Sequence, residues 1–271
     1  MSEKGITEFP ACFISHGGGP WPWMPEERET LYVELAAALA GIIPSLPEKP
    51  EAILMLSAHW EEPVFTVQST PKPGMIYDYY GFPDYTYAIS YASPGSPALA
   101  QKVLNLLAEK GIAAQENASR GYDHGMFAPM QLINPAADIP VVQLSLKTGL
   151  RPHEHLALGR ALRPLRKERI FIVGSGLSYH NLRLFNRLAE LPSREFDAWL
   201  NATVTQTLGA ERNALLEQWE AAPAARVAHP REEHLIPLMA AVGCAEDEYG
   251  VNTYNQKDFM GGIHVSNFRF G

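Results

Sequence analysis

Four histidines occupy contexts that suit metal chemistry: His16 stands before the run Gly17 Gly18 Gly19, His59 closes an apolar stretch, His180 precedes Asn181, and His234 follows Glu232 and Glu233. Imidazole is the commonest protein ligand for borderline transition metals, so this distribution points to a metalloenzyme. Glu233 is as able as His234 to reach an ion, and residue type does not choose between them. A fifth histidine, His124, lies in Gly121 Tyr122 Asp123 His124 Gly125, where Asp123 can cap a following helix or orient an imidazole. His153 and His155 are too closely spaced to share a helix face and read as surface residues. His229 and His264 have no supporting context.

Competing chemistries fail on spacing. No Lys-Ser or Lys-Thr pair follows Gly17 to Gly19, and the three-glycine dinucleotide spacing is not met, so a phosphate-cradling loop is not supported. The alternatives there are a plain turn, or glycines that let the backbone pass close to a metal-bound substrate. Ser175 sits between Gly174 and Gly176, but a nucleophile elbow needs glycine two residues either side, where this chain has Val173 and Leu177. That leaves His180 as a general base or a further ligand. His59, between Ser57 and Trp60, is either a hydrogen-bonded core residue or a ligand. The tyrosines from Tyr77 to Tyr91 are either packed loop residues or the wall of an aromatic pocket.

The elements that must position these groups alternate between strand and helix, as in an α/β layer fold with a central mostly parallel or mixed sheet. Strands are expected at Ala11 to Ser15, Ala52 to Ala58, Val64 to Gln68, Val141 to Leu146, Ile170 to Val173 and Ile263 to Phe270. Helices are expected from about Glu26 to Ile43, from Ala98 to Lys110 behind Ser96 and Pro97, at His153 to Lys167, along Ser193 to Trp219 with a break near Gly209, and at Glu232 to Val242. Strands ending at His16, at His59 and in the glycine turn before His180 would bring these side chains to one sheet edge, where open α/β folds bind ligands.

Bulk properties narrow the partners. A chain of 271 residues, 46% hydrophobic and without a polar linker or internal repeat, is expected to form one domain over residues 1–271. A formal charge of −8 argues against a nucleic-acid surface and for a small-molecule substrate. Cys12 and Cys244 offer neither a disulfide framework nor a thiolate cluster, which suits a reducing compartment. Met1 to Pro10 carries Glu3, Lys4 and Glu8 and lacks an apolar leader, and no stretch is apolar for long enough to span a bilayer, so a cytoplasmic, membrane-free protein is expected.

Taken together, the segments resemble the class III extradiol ring-cleaving dioxygenases of the LigB-like superfamily, in the branch similar to DOPA 4,5-dioxygenase. The matching pieces run from Phe13 Ile14 Ser15 His16 Gly17 Gly18 Gly19 Pro20 through Ser57 Ala58 His59 Trp60, Tyr80 Gly81 Phe82 Pro83, Tyr91 Ala92 Ser93 Pro94 Gly95 Ser96 Pro97 and Gly121 Tyr122 Asp123 His124 Gly125. Pro140 Val141 Val142 Gln143 Leu144 Ser145, Ser178 Tyr179 His180 Asn181 Leu182 and Glu233 His234 complete the order. One departure is that Tyr77 stands before Asp78 where many relatives carry a histidine, and Trp21 and Trp23 crowd the loop after the glycines.

The resemblance implies a single-domain, three-layer α/β/α catalytic fold. It further implies a metal held by His16, His59 and His234, with Glu233 as the rival third ligand. His180 would be the acid/base and a fourth ligand in the absence of substrate, His124 would bind substrate or assist proton transfer, and Gly18, Trp60, Tyr80 and Phe82 would line the substrate site. The implied reaction inserts both atoms of O2 into a catechol-type ring with Fe(2+) as the active metal, at a centre that three histidines would leave net cationic. Zn(2+) is a plausible occupant of the purified protein, because it binds nitrogen-rich sites more tightly than ferrous iron. The rivals are a zinc-dependent hydrolase using the same histidines and a non-catalytic metal-binding protein; oligomeric state is open.

Overall fold

The computed structural model describes residues 8–271, so the charged stretch containing Glu3 and Lys4 lies outside them. Among the described residues eight strands, β1 (Ala11–Ser15), β2 (Ala52–Glu62), β3 (Phe65–Gln68), β4 (Ala114–Asn117), β5 (Val141–Lys147), β6 (Ile170–Gly176), β7 (Gly250–Phe259) and β8 (Ile263–Phe270), form one mixed sheet. Their spatial order is β4-β3-β5-β2-β6-β1-β8-β7. The four central strands β5, β2, β6 and β1 run parallel, and β3 and β8 border them antiparallel. A parallel strand is covered on both faces, and every residue of β6 is accordingly buried.

The helices are α1 (Pro25–Thr30), α2 (Val33–Ala40), α3 (Ile42–Ser45), α4 (Pro97–Glu109), α5 (His124–Ile133), α6 (Pro152–Leu162), α7 (Glu190–Gln206), α8 (Gly209–Glu217), α9 (Ala225–Ala228) and α10 (Ile236–Gly243). Helices α6 and α10 pack together, with α10 against β6 and β1, while α2 packs on α5, and α5 against β2. Strand alternation puts the two groups on opposite faces. Gly174 and Gly176 of β6 look onto the chain at His234–Pro237, whereas Ser175 between them turns the other way and donates its hydroxyl to the Gly125 carbonyl of α5. The result is a three-layer α/β/α fold.

Local signals explain several boundaries. Ser96 caps α4 by accepting from the Leu99 N–H at 3.2 Å, with Pro97 in the first turn. Asp123 caps α5, its carboxylate accepting from the Met126 N–H.

Elsewhere tertiary contacts override propensity. The helix expected from Glu26 to Ile43 is three pieces, broken first where Tyr32 turns inward to stack on Trp21 at a centroid distance of 4.4 Å and again at Gly41. The helix expected from Glu232 begins only at Ile236, which leaves Glu233 and His234 in the preceding turn. Strands β4 and β7 carry no clear apolar alternation and escape detection in the sequence; β7 is held by its antiparallel pairing to β8.

His155 is fully buried, contrary to its reading as a surface residue. Its Nδ1 donates to the Arg151 carbonyl at 2.9 Å and its Nε2 accepts from the Lys147 N–H at 3.2 Å. The bond that Nε2 accepts requires the neutral ring, and burial lowers its pKa from 6.5 to about 4. The unfolded chain therefore binds a proton that the folded chain refuses over that interval, so stability is fully present above pH 6.5 and is lost as pH falls towards 4. The expected slope is at most about 1.4 kcal/mol per pH unit for this one group. Denaturant titrations at stepped pH should show a shallower acid decline in His155→Gln than in the wild type, and an identical slope would remove His155 from the account.

Candidate active site

Strands β2, β6 and β1 are neighbours, and their carboxyl ends share one edge of the sheet. His16 follows β1 directly and its N–H donates to the Gly176 carbonyl at 3.1 Å. His59 lies within β2 at a slip in the β2–β5 register between Leu56 and Glu61, a bulge of the kind that re-aims side chains near sites. His234 arrives from the far side. Its carbonyl accepts from the Leu177 N–H at 3.1 Å, and a Cβ on Gly176 would occupy the position of that carbonyl. His124 opens α5, and His180 is tied by its N–H to the Ala228 carbonyl at 3.0 Å.

The rings of His16, His59 and His234 form a nearly equilateral triangle, with centroid separations of 4.9, 5.1 and 5.0 Å. One nitrogen of each lies within 4.8 Å of the others, a spacing that can hold a metal ion. The other two histidines flank this triangle, each against one member: His124 lies 3.9 Å from His59, and His180 stacks on His234 at 3.4 Å.

Two carboxylates hold the rings. Asp78 Oδ1 accepts from both the backbone N–H and ring Nδ1 of His124, at 2.9 and 2.8 Å, and Asp78 Oδ2 is 3.3 Å from His59 Nδ1. Glu233 Oε1 lies 2.9 Å from His234 Nδ1 and 3.1 Å from His180 Nδ1. Beneath them, buried Asp123 takes bonds from Ser57, Gln143 and Arg120.

Burial, reinforced by neighbouring histidines, holds the His16 and His234 pKa values well below the ordinary range. Burial and His124 bring His59 to about 4, against the opposing pull of Asp123 and Asp78. All three are thus neutral, the form that ligates. Burial pushes the Asp78 and Glu233 carboxyls up, but bonds from His124 and His180 respectively outweigh it, and both end below their ordinary values. The donor set fits a divalent metal on one particular contact. His59 Nε2 and His16 Nε2 face each other at 3.3 Å, and with His59 Nδ1 engaged by Asp78, a shared cation satisfies both lone pairs together.

The histidines open into a cavity of about 330 Å³ whose walls include Gly18, Phe82, Leu177, Leu182, Phe185 and Phe259. Of the four substrate-site expectations, Gly18 and Phe82 are in this lining and Trp60 and Tyr80 are not. Trp60 is buried under the Arg120 guanidinium, 4.5 Å from its ring centroid, with its N–H on Glu62. Tyr80 is 92% exposed. The glycine run has a packing role. Gly17, at φ +78°, leaves room for the Trp21 indole, whose Nε1 donates to the His16 carbonyl at 2.8 Å. Asp78 is a site residue that spacing does not reveal, since its partners lie 19 and 46 positions away in the chain. The only signal was its place just before Tyr80 Gly81 Phe82 Pro83.

Residues 10–270 match the family model described as the catalytic LigB subunit of aromatic ring-opening dioxygenase. The chain belongs to that family. Among curated relatives it is 39% identical to a 4,5-DOPA dioxygenase extradiol from Beta vulgaris, over 90% of this chain and 89% of that one. A Dioxygenase tasH from Hapsidospora irregularis is 34% identical, with 97% and 85% covered, and a 4,5-DOPA dioxygenase extradiol from Escherichia coli K12 is 30% identical, with 98% and 96% covered. A crystal structure of an uncharacterized protein from Escherichia coli K12 superposes with a TM-score of 0.77 at 28% identity, covering 97% of this chain and all of that one. This LigB-family chain is therefore an extradiol ring-cleaving dioxygenase, an oxidoreductase that incorporates O2 into a small aromatic substrate. Hydrolase and scaffold readings are not favoured. The family is non-haem and metal-dependent, in keeping with the histidine cluster. No helix among the described residues is long and apolar enough to cross a membrane.

Gly125 tests the packing of this dioxygenase site. A Cβ there would lie 2.6 Å from Ser57 Oγ and 2.8 Å from His59 Cδ2. Gly125→Ala should cost about 1–3 kcal/mol by overpacking and weaken metal retention, because His59 must shift. Thermal denaturation with metal analysis checks this, and wild-type values for both would show that His59 is not packed as described.

Proposed function

We propose that the chain is a single catalytic domain that uses ferrous iron, held by His16, His59 and His234, to open a one-ring catechol beside its diol. The observation that carries this reading is the triangle of neutral imidazoles at the floor of a closely walled apolar cavity, with two further histidines facing the same space. A volume of about 330 Å³ is at the small end of ligand pockets, which suits one aromatic ring. Relatives named 4,5-DOPA dioxygenase support a catechol that carries a polar side chain. Bound ferrous iron supplies the redox path between a chelated diol and spin-restricted dioxygen.

The chain's own residues bind, orient and move protons. Phe82, Phe185 and Phe259 provide faces against which a ring can pack while excluding water. His180, whose Nδ1 points to Glu233, has Nε2 free to accept a hydroxyl proton from the diol and return it later. His124, with its Nδ1 on Asp78, is placed to hold the second hydroxyl. From His180 an open groove of about 500 Å³ leads past Asn181 and Leu182 to Arg183. Arg183 makes no ion pair among the described residues, so it is available to a substrate carboxylate. Both cysteines are buried and unpaired, with burial pushing each thiol up to about 12, which suits a reducing cytoplasm.

Anaerobic loading with Fe(2+), then oxygen uptake and appearance of a yellow ring-opened product over a catechol panel, tests the reading. Uptake is expected with iron and not with Zn(2+), and no uptake with any diol would sink it. His180→Ala should lower kcat about 10²- to 10⁴-fold while metal content stays near the wild-type level. Equal loss of both would place His180 in the metal shell. Arg183→Gln should raise KM for a carboxylate-bearing catechol and leave KM for catechol itself unchanged; equal changes for both would remove Arg183 from substrate recognition.

A further inference from the structure

Each carboxylate in the site serves two histidines, and in each case one of the two belongs to the metal triangle and the other flanks it. Asp78 engages His59 and His124, whose rings lie 3.9 Å apart, and Glu233 engages His234 and His180, whose rings stack at 3.4 Å. All four contacts are made through Nδ1. The His124–Asp78 and His234–Glu233 contacts are hydrogen bonds at 2.8 and 2.9 Å, and the His59–Asp78 and His180–Glu233 contacts are close approaches of the same nitrogen at 3.3 and 3.1 Å. A carboxylate only accepts hydrogen bonds, so a neutral ring facing it in this way carries its proton on Nδ1 and keeps its lone pair on Nε2. The His124 N–H also holds Asp78 Oδ1 at 2.9 Å, and Glu233 Oε2, which accepts no hydrogen bond among the described residues, has the Arg231 guanidinium 3.5 Å away.

We infer that Asp78 and Glu233 are a matched pair of positioning residues, each fixing at once the tautomer of one metal-holding histidine and of one proton-handling histidine. Glu233 is then not the third ligand. It stands on the Nδ1 side of His234, and it shares ligand spacing with His180 and His234 rather than with the His16, His59 and His234 triangle. The arrangement also couples two functions: a shift of either carboxylate disturbs metal retention and proton handling together. This inference rests on the function proposed above for the naming of roles, while the tautomers it specifies do not depend on catalysis.

The same contacts admit one rival. Asp78 with His59 and His124, and Glu233 with His180 and His234, each meet the spacing for a metal ion of their own. An extra ion on either trio would need a histidine already in the central triangle to ligate through both nitrogens, giving up its Nδ1 proton to become an imidazolate. Metal stoichiometry decides between the two arrangements.

The direct test is nitrogen-15 histidine NMR of the zinc-loaded, diamagnetic protein, comparing wild type with Asp78→Asn and Glu233→Gln. In the wild type His59, His124, His180 and His234 should each carry the proton on Nδ1, and the protein should hold one zinc per chain. Asp78→Asn should alter the signals of His59 and His124 only, and Glu233→Gln those of His180 and His234 only. Each variant should bind metal or turn over about 10- to 100-fold less well than wild type, whereas His234→Ala should retain no metal.

The wild-type spectrum alone can overturn the inference. A bare Nδ1 on any of the four rings, or two ions per chain, would do so without any variant needing to fold. Changes spread over all four histidines in either variant would also refute the pairing. Correct tautomers in a protein that consumes no oxygen would retain the pairing and remove the dioxygenase mechanism. Oxygen uptake with the wrong tautomers would do the reverse.

Discussion

The constraint on which the site depends is the approach of the His234 turn to the backbone of β6. Leu177 donates to the His234 carbonyl, and any side chain at Gly176 would stand where that carbonyl is. Gly174 makes the same allowance for Pro237 at the start of α10. Two glycines on one face of a buried strand therefore let an element from near the carboxyl end of the chain lie against the centre of the sheet. Ser175, on the opposite face, ties α5 and hence His124 to the same strand. The Gly-Ser-Gly sequence that invites comparison with a hydrolase nucleophile is a seam joining three layers.

Crowding five imidazoles into one cavity has an electrostatic consequence. Mutual proximity and burial disfavour protonation of the triangle, so the rings stay neutral and their lone pairs need a cation. An all-histidine shell would leave a divalent ion uncompensated, which is the cationic centre expected from ligand identity alone. The structure modifies that expectation. Asp78 and Glu233, both held below their ordinary pKa values, place two negative charges just outside the ring nitrogens. The local charge with a dication would be close to neutral.

The sequence made three of the histidines legible through their surroundings: apolar strand residues run up to His16 and His59, and a capping Asp123 stands before His124. It also exposed the central strands, whose burial on both faces produces continuous apolar runs. What it hid depends on contacts across the chain. Asp78 becomes a site residue only when its loop meets β2 and α5. The resemblance implies Trp60 and Tyr80 at the substrate, yet Trp60 packs beneath Arg120 and Tyr80 turns to solvent. His155, two positions from His153, reads as exposed because helix periodicity alone does not reveal that its ring packs edge-on to Phe65, at 5.2 Å.

His16 stands apart from the other site histidines, and the difference accounts for the glycine run after it. Its Nδ1 is buried without a hydrogen-bond partner among the described residues, and no carboxylate among them fixes this ring. The backbone does the work instead: the His16 N–H is held by β6, and its carbonyl accepts from the Trp21 indole. Trp21 is in turn stacked on Tyr32, whose hydroxyl accepts from the Gly18 N–H. Gly17 and Gly19, both at positive φ, make space for Trp21 and for the ring of Phe82 respectively. The run of glycines thus fixes one corner of the triangle by packing aromatic rings against main chain, where the other two corners are fixed by charge.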